Sequence, residues 1–270
     1  MYPVLARILS LPSSLLLLVL LCSNGVQAAN TLTLRPTIST PSKISFRITV
    51  NNIETGQPVP NAYVWLRPEA EANSGGHDHD DAARPAGTFD KYEGSTGSDG
   101  QGLSVTYTAP QVSGTVQVRV DCTSPSGPCN SGNLPINVEV PGLVPLPAGL
   151  NYNLVGSFGL PGVTSQHSGN HFGTSSFTAK LVYLADLYYL KFNSKLDYND
   201  ISLPLGGLFD IGNNWRPSHH EHRVGISGDI RLVPAGRRKD LRDMVKAARI
   251  TGATIEHSTH WHVREFGSSN

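Results

Sequence analysis

At 270 residues the chain has room for one or two domains. It is 39% hydrophobic and 16% charged, enough apolar material for a packed core, and its 21 basic residues balance 21 acidic ones. That neutrality excludes the strongly basic surface of a nucleic-acid binder, while 27 glycines and 19 prolines suit short strands and many turns.

The first 29 residues read as a secretory signal peptide. Arg7 supplies an early positive charge, "LLLLVLLC" at 15–22 is an apolar core too short for a comfortable membrane span, and "VQAAN" places small residues for cleavage after Ala28 or Ala29. A lipid anchor through Cys22 is disfavoured by Leu21, which stands where such anchors need a small residue. The mature chain is therefore expected to be exported (periplasmic, cell-envelope or secreted) and without a membrane span.

Residues 30–140 read as all-β. "KISFRITV" alternates Ile44, Phe46, Ile48 and Val50 with polar neighbours, the period of a half-buried strand. Further strands run through Ala62, Val64 and Leu66, through Leu103, Val105 and Tyr107, and through "SGTVQVRVDC" and "PINVEV". Short strands at this spacing, separated by glycine-rich turns, predict a β-sandwich. The order of a "GQPVPNA" turn, "DGQGLSVTYTAP" and "SGTV" resembles bacterial Ig-like domains of the invasin and intimin type. Cys122 and Cys129 flank "TSPSGP" and remain as an even pair once Cys22 leaves, so a disulfide is expected in an exported chain. The polar stretch 71–87 interrupts the domain and carries "HDHDD"; it reads either as a solvated, mobile loop or as a low-affinity metal collector near His77 and His79.

Residues 141–150 form a Pro-rich, semi-rigid linker. Residues 151–270 then read as α+β. One helix is expected over "GTSSFTAKLVYLADLYYLKF", capped by Ser175 or Ser176, with Leu181, Leu184, Ala185 and Tyr188 on its buried face. A second is expected over "RRKDLRDMVKAARITG", with Leu241, Met244, Val245 and Ala248 inward and Gly252 as the stop. "GDIRLV" and "HWHVRE" are strand-like.

On a strand, side chains two apart share a face, so His260 and His262 point together and Trp261 points away. Such a pair makes a metal site, or a ligand beside a proton-transfer group, or nothing more than a surface strand. Upstream, His222 and Asp229 stand seven positions apart and would face opposite ways on a straight strand; Gly225 and Gly228 let the chain bend so that both converge. Two imidazoles and a carboxylate suit catalytic zinc with an open fourth position. Zinc would lower the pKa of its water towards about 7, and a neighbouring imidazole can move protons.

An H-x6-D motif followed by a late H-x-H resembles the LAS metallopeptidases, nearest to the penicillin-insensitive murein endopeptidases. The matching segments are "DISLPLGG" at 200–207, "HHEHRVGISGDI" at 219–230 and "HWHVR" at 260–264. The resemblance implies a small antiparallel sheet, with His222, Asp229 and His262 as zinc ligands and His260 as the catalytic proton-transfer histidine. It places His219, Asp200 and Ser202 as cleft candidates. Arg216, just before the site, is either a further cleft residue for a substrate carboxylate or a packing residue, as is Trp215. His167 and His171 are weaker cleft candidates, and His220 and His257 read as surface neighbours. Ser227 departs from the pattern, since murein endopeptidases commonly carry an aspartate there. The implied function is a zinc-dependent peptidase acting on peptidoglycan cross-links or stem peptides, with zinc-bound water as nucleophile. The alternative is a non-catalytic zinc-containing cell-wall or surface binding protein, or an adhesin.

Overall fold

The structure, a computed structural model, describes residues 18–22, 25–27, 32–35, 41–52, 55–75, 79, 83–125, 127–155, 169–210, 214–216, 220–256 and 260–265. Over these residues the chain is mostly β-sheet with two α-helices. None of its helices there is long and apolar enough to cross a membrane.

The first ten strands are β1 (Leu18–Cys22), β2 (Gly25–Gln27), β3 (Leu32–Leu34), β4 (Lys43–Asn51), β5 (Tyr63–Ala70), β6 (Thr88–Phe89), β7 (Glu93–Ser95), β8 (Leu103–Thr108), β9 (Gly114–Ser124) and β10 (Gly127–Val138). They form two sheets, ordered β2-β1-β4-β8-β6 and β3-β10-β9-β5-β7. The alternating apolar residues of both sheets meet in one core. Phe46, Ile48 and Val50 from β4 and Val105 and Tyr107 from β8 join Val64 and Leu66 from β5, Val116, Val118 and Val120 from β9, and Leu134 and Ile136 from β10. This is the expected period-two burial, except that Ile44 is only partly buried and Thr49 and Asn51 are buried beside Ile48 and Val50 at the end of β4.

The segment expected as a leader carries β1, which runs parallel to β4 from Leu18↔Arg47 to Cys22↔Asn51. With β2 it forms one edge of its sheet, so cleavage of a leader would leave β4-β8-β6 and expose the β4 edge. Cys122 and Cys129 stand opposite one another on β9 and β10 and are disulfide-bonded, with Cα atoms 5.5 Å apart. The bridge closes a short hairpin end, where the loop-entropy gain is small.

The remaining elements are β11 (Val144–Pro145), β12 (Tyr152–Leu154), β13 (Phe172–Gly173), α1 (Ser175–Phe192), β14 (Leu196–Tyr198), β15 (Ser227–Arg231), α2 (Arg238–Ala247), β16 (Thr251–Glu256) and β17 (His260–Arg264). A five-stranded sheet runs β12-β14-β15-β17-β16, and β11 pairs with β13. Leu181, Leu184, Ala185 and Tyr188 of α1 and Leu241 and Val245 of α2 pack with Ile230, Trp261 and Val263 of the sheet into a second core. Within the stretch expected as a semi-rigid linker Leu146 is buried, and β11 pairs with β13 of the second unit.

Both helix ends differ from expectation. Thr174, not Ser175 or Ser176, caps α1: its Oγ1 accepts from Phe177 N at 3.1 Å. Ser176 instead donates to Glu265. α2 stops at Arg249 (φ +57°), whose left-handed backbone lets Ile250 N reach Val245 O and Arg249 N reach Lys246 O. That is the paired 6→1 and 5→2 closure of a helix C-terminus. Gly252 lies beyond it, in β16.

The two units meet along residues 203–210 and 214–216. Leu208 N donates to Gln111 O and Val140 N to Leu205 O. Gly207 (φ +78°) lies so close that a Cβ would sit 2.7 Å from Ser113 N. His79 corrects the solvated-loop reading of "HDHDD" at its own position: it is 8% exposed, its Nε2 donates to Asp210 Oδ1 at 2.9 Å, and its ring packs on Trp215 with centroids 4.0 Å apart. His77 lies outside the described residues.

Candidate metal centre

β15 and β17 place the site. In their antiparallel register Asp229 stands directly opposite His262 and Arg231 opposite His260. His260 and His262 share one face, while Trp261 and Val263 turn into the second core. His222 reaches the same point from a single 3-10 turn, His220–Val224. Gly225 (φ +71°) reverses the chain between that turn and β15, and a Cβ there would sit 2.5 Å from Leu143 Cδ2. The expected bend at Gly228 is absent. That residue continues β15 and keeps the strand close to Ile201 and Asp200, whose atoms a Cβ would approach to 3.3–3.4 Å.

His222, Asp229 and His262 are all buried and offer ligand atoms within 4.8 Å of one another. His222 Nδ1 donates to Ile201 O at 2.7 Å, so Nε2 is the nitrogen presented to Asp229 Oδ1, 3.5 Å away. His262 Nδ1 lies 2.9 Å from the same oxygen. A tetrahedral zinc ion with bonds near 2.05 Å sets its ligand atoms about 3.3 Å apart. The two observed separations bracket that value, and two imidazoles with one carboxylate are a zinc donor set, so the residues fit the ion. His260 is half-buried, with Nε2 3.5 Å from Asp229 Oδ2. It touches the site without joining the mutual contacts of the three.

The electrostatics follow from burial and these neighbours. Burial alone pushes the Asp229 carboxyl up, but the facing His222 imidazole, hydrogen bonding with His222 and His262, and nearby His260 together hold it well below the usual carboxylate range. Asp200 lies next to it, its carbonyl accepting from Asp229 N at 2.7 Å. Burial, with the Asp229 charge adding and His222 and the Asn170 amide opposing, pushes the Asp200 carboxyl up to about 7.

Of the other cleft candidates, Asp200 is thus brought to the site. Ser202 is fully buried, its Oγ has no hydrogen-bond partner among the described residues, and its backbone carbonyl accepts from Phe172 N. Arg216 is exposed, on the segment after Asp210. His219, His167 and His257 lie outside the described residues. His171 packs with Nε2 3.1 Å from the carbonyls of Val155 and Tyr198.

Sequence reasoning missed Glu221. Its Oε2 lies 2.8 Å from His262 Nε2, and its Oε1 pairs with Arg264. Adjacent side chains on a turn of three residues diverge by about 120°, so Glu221 and His222 reach different sides of one centre.

No family model matches the chain, and no curated protein does. Among solved structures it is similar to the bradyzoite-specific antigen BSR4 of Toxoplasma gondii, at 14% identity and a TM-score of 0.18, over 56% of this chain and 55% of that one. The chain thus spans about half the length of that antigen, and a likeness of this size carries no argument.

Proposed function

We propose that the chain is an exported zinc peptidase of the LAS type, acting on peptidoglycan cross-links or stem peptides. In this reading residues 30–140 are an Ig-like sandwich that serves as spacer or docking module, and residues 151–270 are the LAS-type zinc domain. The observation that carries it is the cross-strand pairing of Asp229 with His262, with His222 turned in beside them and His260 at the edge. The motif resemblance supplies the substrate class, and the Cys122–Cys129 disulfide suits an oxidising compartment.

Zinc held by His222, Asp229 and His262 would supply a Lewis acid and a water of lowered pKa. The carbonyl of Ile201 fixes the His222 tautomer. His260 moves a proton at Nε2, towards the leaving amine, and stabilises negative charge developing beside the triad. The test is zinc per chain together with release of fragments from purified murein, for the wild type, His222→Ala, His262→Ala and His260→Ala. The ligand variants should lose zinc by orders of magnitude in affinity. His260→Ala should keep near-stoichiometric zinc while turnover falls roughly 100-fold or more. Loss of zinc from His260→Ala as readily as from His262→Ala would show the roles wrongly divided. Zinc without cleavage in the wild type would support the non-catalytic binding or adhesin reading instead.

A further inference from the structure

We infer that Glu221 is a positioning residue for this centre: clamped by Arg264, its carboxylate fixes the ring of His262 so that Nδ1 faces the metal. The inference rests on the metal-site reading above.

The two nitrogens of an imidazole point in diverging directions. Nδ1 of His262 is turned to Asp229 Oδ1 at 2.9 Å, so Nε2 points out of the triad, and Glu221 Oε2 meets it at 2.8 Å. Both facing groups are carboxylates, which only accept, so either nitrogen can donate in the metal-free chain; with a metal ion at Nδ1 the ring's one proton would sit on Nε2, where Glu221 accepts it. The other oxygen of Glu221 is taken by Arg264, two residues along the strand that carries His262. Glu221 is thereby directed away from the metal-facing side, which separates it from a ligand or a base. The clamp also ties the turn bearing His222 to the strand bearing His262, so one side chain sets the spacing of two ligands. A carboxylate behind a ligating histidine holds its orientation and raises its basicity, and its loss typically costs 10–100-fold in metal affinity.

The measurement is zinc affinity of the purified full-length chain by competition with a chromophoric chelator, with the unfolding midpoint of each metal-free variant beside it. Glu221→Ala should bind zinc roughly 10–100-fold more weakly. Glu221→Gln keeps an acceptor oxygen for His262 but loses the charge, and should fall between that variant and the wild type. Arg264→Met leaves the carboxylate unclamped and should weaken zinc by a smaller factor. The metal-free midpoints should stay close to wild type, because Glu221 is substantially exposed and such ion pairs add little stability. Zinc affinities of Glu221→Ala and Glu221→Gln within twofold of wild type overturn the inference while leaving the metal site standing. A wild-type chain that takes up no zinc overturns both.

Discussion

His171 is half-buried, and its Nε2 faces the carbonyls of Val155 and Tyr198. Burial lowers its pKa from the ordinary 6.5, with the hydrogen bonds to the Tyr198, Val155 and Asn199 backbone opposing. The folded value lies below the unfolded one, so as pH falls the unfolded chain takes up the proton first. The contribution to stability is therefore present above about pH 6.5 and is lost as pH drops through the folded value. His171→Gln keeps an N–H donor for those carbonyls and removes the titration. Chemical denaturation at several pH values should show a shallower fall in unfolding free energy between about pH 7 and 5 in the variant. An unchanged slope would mean that His171 is not the group that titrates. The same residue scale shows what a sequence can disclose. The shared face of His260 and His262 follows from a period of two, which needs no tertiary information. Glu221 was hidden because its partners lie 41 and 43 positions away. Nothing local in "HHEHR" separates a clamp from a solvated glutamate.

Elements were legible wherever one face is buried. The inward residues of β4, β5, β8 and β9, and those of α1 and α2, follow periodicity alone. Element ends were less legible, because capping depends on which of several competent residues the chain trajectory brings to the terminus. Thr174, Ser175 and Ser176 can all cap a helix by chemistry, and Glu265 takes one of them away. This separates two variants. Thr174→Ala removes the acceptor for Phe177 N and should cost about 1 kcal/mol. Ser175→Ala changes an exposed residue in the first turn and should stay within about 0.5 kcal/mol of wild type. Unfolding free energies of the two decide between them, and a larger loss in Ser175→Ala would move the cap back to the position expected from sequence. Arg249 makes the same point at the end of α2. Glycine is the usual left-handed residue, which favours Gly252 on sequence, but packing of Ile250 into the core fixes the stop earlier.

At the scale of the molecule the chain builds two cores, one between the first two sheets and one between the helices and the third. The segment that joins them also reaches the candidate metal centre, through Phe209 against His222. Asp210 is 1% exposed; its Oδ1 faces His79 of the first unit and its Oδ2 accepts from Asn214 N and Trp215 N at 2.7 Å each. Trp215, held at φ +54°, packs on the His79 ring, and Phe209 meets His222 edge-on with centroids 6.5 Å apart. The first unit thus grips a strap whose neighbouring residue, Phe209, touches His222 of the candidate metal centre. The alternation that gives the strands says nothing of this, since the grip joins positions 131 apart, outside any strand or helix. His79→Ala removes a buried donor to a carboxylate and should cost about 2 kcal/mol. Combined with Asp210→Ala, the double variant should be less destabilised than the sum of the single ones by at least about 1 kcal/mol, as for groups in direct contact. Combined with Thr174→Ala, it should add within about 0.5 kcal/mol. The strap also makes a prediction about the site: His79→Ala should weaken zinc binding severalfold, although no atom of the first unit is a ligand. Additive behaviour of His79→Ala with Asp210→Ala would show that the units are joined without this contact. Unchanged zinc affinity alongside clear coupling would confine the grip to stability and leave the first unit as a spacer or docking module.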